Sequence, residues 1–207
     1  MEIPPRRCDT GPVRIVGGTF RGRKLLARPG LDTRPITSRV KTALFDALGG
    51  RIDGAVVVDL FAGTGSIGLE AISRGARRCA FAERDRQALQ RLRRNIEAMG
   101  LSERCEVWCG DILAGLGRHL RGLGEPVDLA FVDPPYPLTR RWASDGVPEG
   151  LFEPLGRHLA PEGRAMLRCE RNLSLPEAFG PLCVRHRREY GKMALLFLAA
   201  RQSPESP

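Results

Sequence analysis

The chain contains 207 residues, of which 42% are hydrophobic and 28% charged, a composition typical of a folded globular protein rather than a disordered one. This length fits one compact domain with a small appendage. No apolar run reaches the roughly 18 residues needed to cross a membrane, and the first residues lack the apolar segment of a secretion signal. Neither a membrane protein nor a secreted protein is therefore expected.

The net charge of +9 is concentrated near the amino terminus. Residues 1–45 contain ten Arg or Lys and three acidic residues, a net charge of +7, whereas the remaining 162 residues have a net charge of only +2. Localised positive charge favours a polyanionic partner such as a nucleic acid. A solvated basic tail explains the charge alone equally well.

The first predicted elements lie in this basic region. Residues 1–12 are expected to form a flexible leader, rich in Pro and charge. Residues 13–26 alternate β-formers around glycines, which predicts a short, twisted hairpin. The candidate nucleic-acid contacts on this hairpin are Arg14, Arg21, Arg23 and Lys24.

After a loop at Gly30–Pro35, Thr37 or Ser38 is expected to cap a helix that ends at Gly49. From residue 55 onward, strand and helix patterns alternate. The predicted strands are residues 56–61, 79–83, 105–109, 127–132, 163–169, 182–189 and 193–199. The predicted helices are residues 66–74, 112–120 and 151–159, together with a helix that Asp85 caps and that stops at Gly100.

This alternation predicts an α/β protein with a mostly parallel sheet, covered on both faces, that binds its ligand at the carboxyl ends of the strands. Only three residues separate the last two strands, so these should form an antiparallel hairpin. We expect a basic hairpin and helix at residues 13–53, a catalytic domain at residues 54–200 and a flexible tail at residues 201–207.

The six cysteines are scattered, without a Cys-x-x-Cys pair or a Cys/His cluster, so no metal site is expected. Cys79, Cys105 and Cys169 lie in apolar strand-like runs. Reduced, buried thiols in a cytoplasmic protein are therefore expected.

A glycine-rich loop follows the first buried strand. Gly63-Thr-Gly-Ser-Ile-Gly68 matches G-x-G-x-x-G, and Glu83 follows Gly63 by 20 residues, as in dinucleotide sites. Gly63 and Gly65 would let a ligand approach the backbone closely. Asp59, at the end of the strand, argues against a dinucleotide because its carboxylate would repel a pyrophosphate. S-adenosylmethionine, which is cationic and has no phosphate, fits better; a tight turn without a ligand is the less favoured alternative.

The second motif, Asp133-Pro-Pro-Tyr136, comes directly after the strand at residues 127–132. Pro134 and Pro135 lack backbone N–H donors, which leaves carbonyl oxygens as acceptors. Asp133 and a neighbouring carbonyl can accept both hydrogens of an –NH2 group, while Tyr136 stacks on the ring that bears it. Holding both hydrogens favours a pyramidal nitrogen whose lone pair points at an electrophile. The motif therefore predicts a site for an exocyclic base amine.

Asp111 follows the third strand, directly after Gly110. Its carboxylate can accept a hydrogen bond from an adenine amino group, or it can cap the short helix that follows. Both interpretations remain open, and they are compatible with each other.

Together, Asp59-Leu-Phe-Ala-Gly-Thr-Gly-Ser-Ile-Gly-Leu-Glu70 and Asp133-Pro-Pro-Tyr136 resemble class I S-adenosylmethionine-dependent methyltransferases that act on exocyclic amines. Other segments are similar to the bacterial RsmD family, which methylates N2 of a guanine in 16S ribosomal RNA. They are Arg14-Ile-Val-Gly-Gly18, Arg21-Gly-Arg-Lys-Leu25, Thr33-Arg-Pro-Ile-Thr37, Arg39-Val-Lys-Thr-Ala-Leu-Phe45 and Arg188-Glu-Tyr-Gly-Lys192. The similarity extends over roughly residues 13–199 and does not explain the leader.

The resemblance implies a Rossmann-like class I methyltransferase fold, with a mostly parallel seven-stranded sheet, helices on both faces and a small N-terminal hairpin and helix. It also implies S-adenosylmethionine as the cofactor. The implied cofactor contacts are Asp59, Gly63 and Gly65 at the methionine part, Glu83 at the ribose and Asp111 at the adenine.

The resemblance further implies that Asp133 and the Pro134 carbonyl hold the guanine amine, next to Pro135, while Tyr136 stacks on the base. Thr37 and Arg39 would close over the cofactor, although a helix cap and a surface charge explain these two residues equally well.

The implied partner is 16S rRNA, free or within a small-subunit assembly particle, and a monomer without a metal ion is expected. Two alternatives stay open. A DNA adenine-N6 methyltransferase shares the Asp-Pro-Pro-Tyr motif, but its usual substrate-reading insertion is missing here. A non-catalytic RNA-binding ribosome assembly factor would not need the intact motif at Asp133–Tyr136.

Overall fold

The computed structural model describes residues 12–27 and 36–201. The predicted leader before Pro12, the predicted loop at Gly30–Pro35 and the predicted tail after Arg201 lie outside the described residues. Cys8 and the Thr33–Pro35 part of one family-like segment also lie outside them.

A mixed sheet forms the centre of the described part of the chain. Its strands are β1 (Val56–Leu60), β2 (Arg78–Glu83), β3 (Cys105–Cys109), β4 (Val127–Val132), β5 (Leu159–Glu170), β6 (Ala178–Phe179), β7 (Leu182–Tyr190) and β8 (Met193–Ala200). Their spatial order is β3-β2-β1-β4-β5-β8-β7-β6. Strands β1 to β5 are parallel to one another, and β8 is antiparallel to both β5 and β7. The predicted parallel sheet and the terminal antiparallel hairpin are thus confirmed.

Helices cover both faces of the sheet. They are α1 (Ser38–Leu48), α2 (Gly68–Ser73), α3 (Arg86–Ala98), α4 (Ile112–Gly122), α5 (Tyr136–Asp145) and α6 (Glu149–His158). Apolar residues of α1, α2 and α3 pack in one cluster, and those of α4, α5 and α6 pack in another. Val57 belongs to the first cluster and Val58 to the second, because successive residues of a strand face opposite sides. This arrangement explains why β1 is buried throughout, with Asp59 as its one charged residue.

Two elements differ from the sequence-based expectation. The sheet has eight strands in the described residues instead of seven, because the two-residue strand β6 pairs with β7 at the sheet edge. Helix α5 begins directly after the two prolines, where the sequence indicated only a stiff turn. Pro135 is the residue before the first turn of α5, and Pro137 lies within that turn, where a missing backbone N–H costs no helical hydrogen bond.

The predicted hairpin is a compact reverse turn with one antiparallel bridge, between Arg14 and Lys24, rather than a longer ladder. Ile15 and Leu25 are buried in the same apolar cluster as α1 and α2. Gly18 has a φ of 74°, and a Cβ atom added there would lie 1.7 Å from the Ser73 carbonyl oxygen. Glycine is therefore required at this position, where the turn packs against the end of α2.

The cysteines of the described residues are free thiols with unequal burial. Cys79 and Cys169 are buried as expected, whereas Cys105 and Cys183 are half-buried and Cys109 is exposed. Strand β3 lies at the edge of the sheet, which explains why Cys105 and Cys109 are less covered than Cys79 on β2 and Cys169 on β5.

None of the helices within residues 12–27 and 36–201 is long and apolar enough to cross a membrane.

Candidate active site

The carboxyl ends of β1, β2, β3 and β4 bring the predicted site residues to one edge of the sheet. Asp133 donates its backbone N–H to the Leu60 carbonyl at 3.1 Å, which places the second motif beside the end of β1. Gly110 donates to the Glu83 carbonyl at 3.1 Å, which places Asp111 beside the end of β2. The parallel register therefore assembles acids that lie far apart in sequence.

The glycine loop leaves β1 through a strained turn. Phe61 has a φ of 64°, a backbone conformation that costs a non-glycine residue roughly 1–3 kcal/mol. Gly65 has a φ of 83°, and a Cβ atom there would lie 2.5 Å from Leu92 Cδ1, so the loop packs tightly on α3. Around Gly63, in contrast, no atom lies within 4 Å of a Cβ position. The open space at Gly63 is where a ligand could approach the loop backbone.

Glu83 ties the glycine loop to the start of α3. Its Oε2 accepts a hydrogen bond from the Gly63 N–H at 2.8 Å. Its Oε1 accepts from the backbone N–H groups of Arg84 and Asp85, each at 2.8 Å. These bonds fix the carboxylate beside Gly63, where the sequence analysis places a ribose.

Asp59 is buried, with 1% of its surface exposed. Its Oδ2 accepts from the Gly68 N–H at 2.8 Å, and its Oδ1 has no hydrogen-bond partner in the described part of the chain. Burial raises the pKa of Asp59 to about 8, against the Gly68 hydrogen bond and with added repulsion from Asp133 and Glu83. A buried carboxyl group with one unsatisfied oxygen fits a cationic ligand, which would favour its ionised form.

Asp133 lies directly after β4, with its side chain 15% exposed. Its Oδ1 forms an ion pair with Nε of Arg168, and the Arg168 guanidinium lies 5.7 Å from the centroid of the Tyr136 ring. Burial raises the pKa of Asp133, and the Arg168 charge opposes this shift. Pro134 is buried, Pro135 is exposed, and Tyr136 is half-buried.

Arg168 is a residue that the sequence analysis missed. It lies in β5 between Leu167 and Cys169, both fully buried. An arginine between the apolar residues Leu167 and Cys169 of the predicted strand was the available signal. The β4–β5 register pairs Val132 with Leu167, so the residues that follow, Asp133 and Arg168, become neighbours.

Asp111 and Thr37 both act as helix caps. Asp111 Oδ1 accepts from the Leu113 N–H at 3.0 Å, and Thr37 Oγ1 accepts from the Val40 N–H at 3.3 Å. Asp111, Thr37 and Arg39 are exposed. The capping interpretations are confirmed, while the cofactor contacts of these three residues stay predictions.

The basic side chains of the N-terminal turn point to solvent: Arg14, Arg21, Arg23 and Lys24 are all exposed. Arg23 also donates to the Ala98 carbonyl at the end of α3. Helix α3 also carries exposed arginines, Arg86, Arg93 and Arg94. The contact of Arg23 places the turn beside the carboxyl end of this helix.

A buried ion-pair network links the N-terminal turn to the glycine loop. Lys41 donates to the Arg14 carbonyl at 2.7 Å and to Ser66 Oγ at 3.2 Å. Glu70 accepts from the Val16 N–H and from Arg74 Nε, each at 2.8 Å. Burial lowers the pKa of Lys41, and the Glu70 carboxylate opposes this shift. The sequence signal was a lysine on the apolar face of α1.

Comparisons with known proteins agree with this arrangement. A family model described as "Conserved hypothetical protein 95" matches residues 13–199. "Putative rRNA methyltransferase YlbH" of Bacillus subtilis is 32% identical over 187 residues, covering 86% of this chain and 94% of that protein. "Ribosomal RNA small subunit methyltransferase D" of Escherichia coli K12 is 36% identical over 132 residues, 64% of each chain.

A solved structure gives the same answer for the fold. "Putative methyltransferase yhhF from Escherichia coli" superposes with a TM-score of 0.74 at 32% identity, covering 92% of this chain and 100% of that one. The predicted Rossmann-like class I methyltransferase fold is thus confirmed, with one strand more than expected. The chain is therefore a methyltransferase and belongs to the family described as "Conserved hypothetical protein 95", the RsmD family.

Proposed function

We propose that this methyltransferase transfers a methyl group from S-adenosylmethionine to the exocyclic N2 amine of a guanine in bacterial 16S rRNA. The observation that carries the proposal is the position of Asp133-Pro-Pro-Tyr136 beside a glycine loop lined by Asp59 and Glu83. The relatives named for ribosomal RNA methylation support rRNA as the substrate class. An rRNA substrate also implies action in the cytoplasm.

The residues at the loop fit S-adenosylmethionine. The unsatisfied, buried Oδ1 of Asp59 suits a cationic group, and the space at Gly63 admits a ligand without a clash. Glu83, whose Oε2 accepts one hydrogen bond and so has acceptor capacity left, would bind the ribose hydroxyls, and Asp111 would bind the adenine amine. Bound S-adenosylmethionine would supply the methyl group, activated by its attachment to a positively charged sulfur.

The second motif would hold the nucleophile. Asp133 and the Pro134 carbonyl would accept the two N2 hydrogens of guanine, while Tyr136 stacks on the base. The N2 lone pair would form the new N–C bond while the electron pair of the broken bond to carbon stays on sulfur, and N2 would pass one proton to its acceptor Asp133 and from there to solvent. Because this displacement needs alignment above all, the protein contributes chiefly by positioning the amine.

The basic N-terminal turn would bind the rRNA backbone. Arg14, Arg21, Arg23 and Lys24 are exposed, and Arg23 contacts the carboxyl end of α3. Exposed guanidinium and ammonium groups bind phosphates without reading sequence. We therefore assign RNA docking to this surface and amine selection to Asp133–Tyr136.

Two measurements test the proposed function. Isothermal titration with S-adenosylmethionine should show saturable binding, and a tritiated-methyl assay should label 16S rRNA or small-subunit particles but not DNA. Labelling of DNA adenine instead would establish the DNA methyltransferase alternative. Cofactor binding without labelling of either nucleic acid would favour a non-catalytic assembly factor.

A further inference from the structure

Arg168 is the charged residue of the buried part of β5, where residues 165–167 and Cys169 are apolar. Its side chain is 8% exposed, and its neighbours Leu167 and Cys169 are fully buried. Removing a guanidinium from water is costly, and close pairing with a carboxylate offsets that cost only partly. A hydrophobic residue would be the favourable choice at this position if β5 served only to pack the sheet.

The contacts of Arg168 lie within the amine-binding motif. Its Nε pairs with Asp133 Oδ1, and its guanidinium lies 5.7 Å from the Tyr136 ring centroid. Arg168 thus contacts both Asp133, which the proposed function assigns to the guanine amine, and Tyr136, which it assigns to the base. The backbone register of β4 and β5, rather than a flexible loop, sets this contact.

We propose that Arg168 is a positioning residue for methyl transfer, which holds Asp133 ionised and oriented as a hydrogen-bond acceptor and fixes the Tyr136 ring beside it. The inference rests on the proposed function, because the acceptor role of Asp133 is part of it. A carboxylate oxygen has two lone pairs, so Asp133 can accept from an amine while it remains paired with Arg168. A protonated Asp133 would lack the negative charge and would be a weaker acceptor for the amine hydrogens.

The charges around Asp133 explain why a cation is needed. Asp59 on β1 interacts with it as a like charge when both are ionised. Burial raises the pKa of Asp133, and Arg168 on β5 is the group that opposes this shift. Without the guanidinium, burial would favour the protonated carboxyl group.

The direct test is the titration of the Asp133 carboxyl group, followed by NMR with carboxyl-labelled aspartate in the ligand-free protein. The resonance is assigned by its loss in Asp133→Asn. In Arg168→Met we expect the midpoint to rise by about one pH unit or more, as for loss of a close opposite charge. In Arg168→Lys, which retains the charge, the midpoint should stay closer to that of wild type. This variant also allows the test if Arg168→Met does not fold.

Activity provides the second readout. In Arg168→Met, kcat at neutral pH should fall by roughly 10², and the acid limb of the pH–kcat profile should move to higher pH. The affinity for S-adenosylmethionine should stay within about twofold of wild type, because Arg168 contacts the amine motif and not the glycine loop. Arg140→Met, which removes an exposed guanidinium paired with Glu170, is the matched control. It should change neither the Asp133 titration nor the pH–kcat profile.

The outcomes separate this inference from the proposed function. Suppose that wild type methylates rRNA while Arg168→Met shows the same Asp133 midpoint and the same pH–kcat profile as wild type. In that case the positioning role is wrong and the proposed function stands. If wild type methylates no rRNA, the proposed function fails first, and the positioning role fails with it.

Discussion

Lys41 and Glu70 form a salt bridge in the protein core, with Nζ 3.2 Å from Oε2 and with the side chains 2% and 0% exposed. The pair joins α1 to α2. Through the Arg14 carbonyl and the Ser66 hydroxyl, the same lysine joins the N-terminal turn to the glycine loop. The basic turn is thereby fixed relative to the loop that we assign to the cofactor.

Lys41→Met should destabilise the protein by about 3 kcal/mol, near the lower end of the cost of breaking a buried pair, because Glu70 keeps Arg74 as a partner. Chemical denaturation measures this loss. Arg51→Met, which removes a surface arginine 3.9 Å from Glu162, is the control and should change stability by less than about 0.5 kcal/mol. Equal losses in the two variants would show that the buried network has no special role.

Asp59 should make cofactor binding depend on pH. Its pKa near 8 in the free protein means that the carboxyl group is largely protonated below that pH, whereas a cationic ligand favours the ionised form. Binding should therefore release a proton, and affinity should rise from pH 6 toward pH 8 by up to about tenfold per pH unit.

Calorimetry in buffers of different ionisation enthalpy measures that proton release. Asp59→Asn retains an oxygen for the Gly68 N–H but cannot ionise. The pH dependence of binding that remains in this variant comes from the cofactor's own amine and is the baseline for the wild-type measurement. Identical pH slopes for wild type and Asp59→Asn would remove Asp59 from the cofactor site.

Asp133→Ala should abolish turnover while leaving cofactor binding nearly intact. Loss of an acceptor that aligns the transition state typically lowers kcat by a factor on the order of 10²–10³. A tritiated-methyl assay at saturating substrate, run beside calorimetric titration with S-adenosylmethionine, measures both quantities. Wild-type kcat in the variant would show that the amine is held elsewhere.

Glu83→Ala should weaken S-adenosylmethionine binding by roughly 1.5–3 kcal/mol, because the ribose hydroxyls lose a charged acceptor. The Gly63 N–H loses its partner in the same variant, so a lower melting temperature should accompany the weaker binding. Glu97→Ala, an exposed acid on α3, serves as the control. Binding of NADH to wild type, with none of S-adenosylmethionine, would overturn the cofactor assignment itself.

Replacing Arg21, Arg23 and Lys24 with Ala should weaken rRNA binding and flatten its salt dependence by about two units, at about 0.7 per phosphate contact on single strands. Cofactor affinity should barely change. A triple replacement of Arg118, Arg121 and Arg157, exposed on the opposite face of the sheet, removes the same charge and should leave the salt slope unchanged. If the turn only packs on the core, the replacement of Arg21, Arg23 and Lys24 should instead lower the melting temperature and leave the salt slope of rRNA binding unchanged.

The sequence predicted those parts of the fold and site that local patterns encode. Apolar runs located the parallel strands, and the caps Thr37, Asp85 and Asp111 located the starts of helices. The motif spacing, together with the strand ends, also predicted that the acids meet at one edge of the sheet. These features depend on residues that are close in sequence or on the regular geometry of parallel strands.

Long-range pairing was not predictable in the same way. The contact between Asp133 and Arg168 depends on the β4–β5 register, and the contact between Lys41 and Glu70 depends on how α1 packs against α2. Helix α5 was missed because two prolines read as a stiff turn, although they also suit the start of a helix.

The central claim is methylation of guanine N2 in 16S rRNA, and nucleoside mass mapping of rRNA tests it most directly. Cells that lack the gene should lose one N2-methylguanosine from 16S rRNA. A copy of the wild-type gene should restore it, and a copy encoding Asp133→Ala should not. An unchanged set of methylated nucleosides in rRNA from the deletion strain would contradict the proposed function.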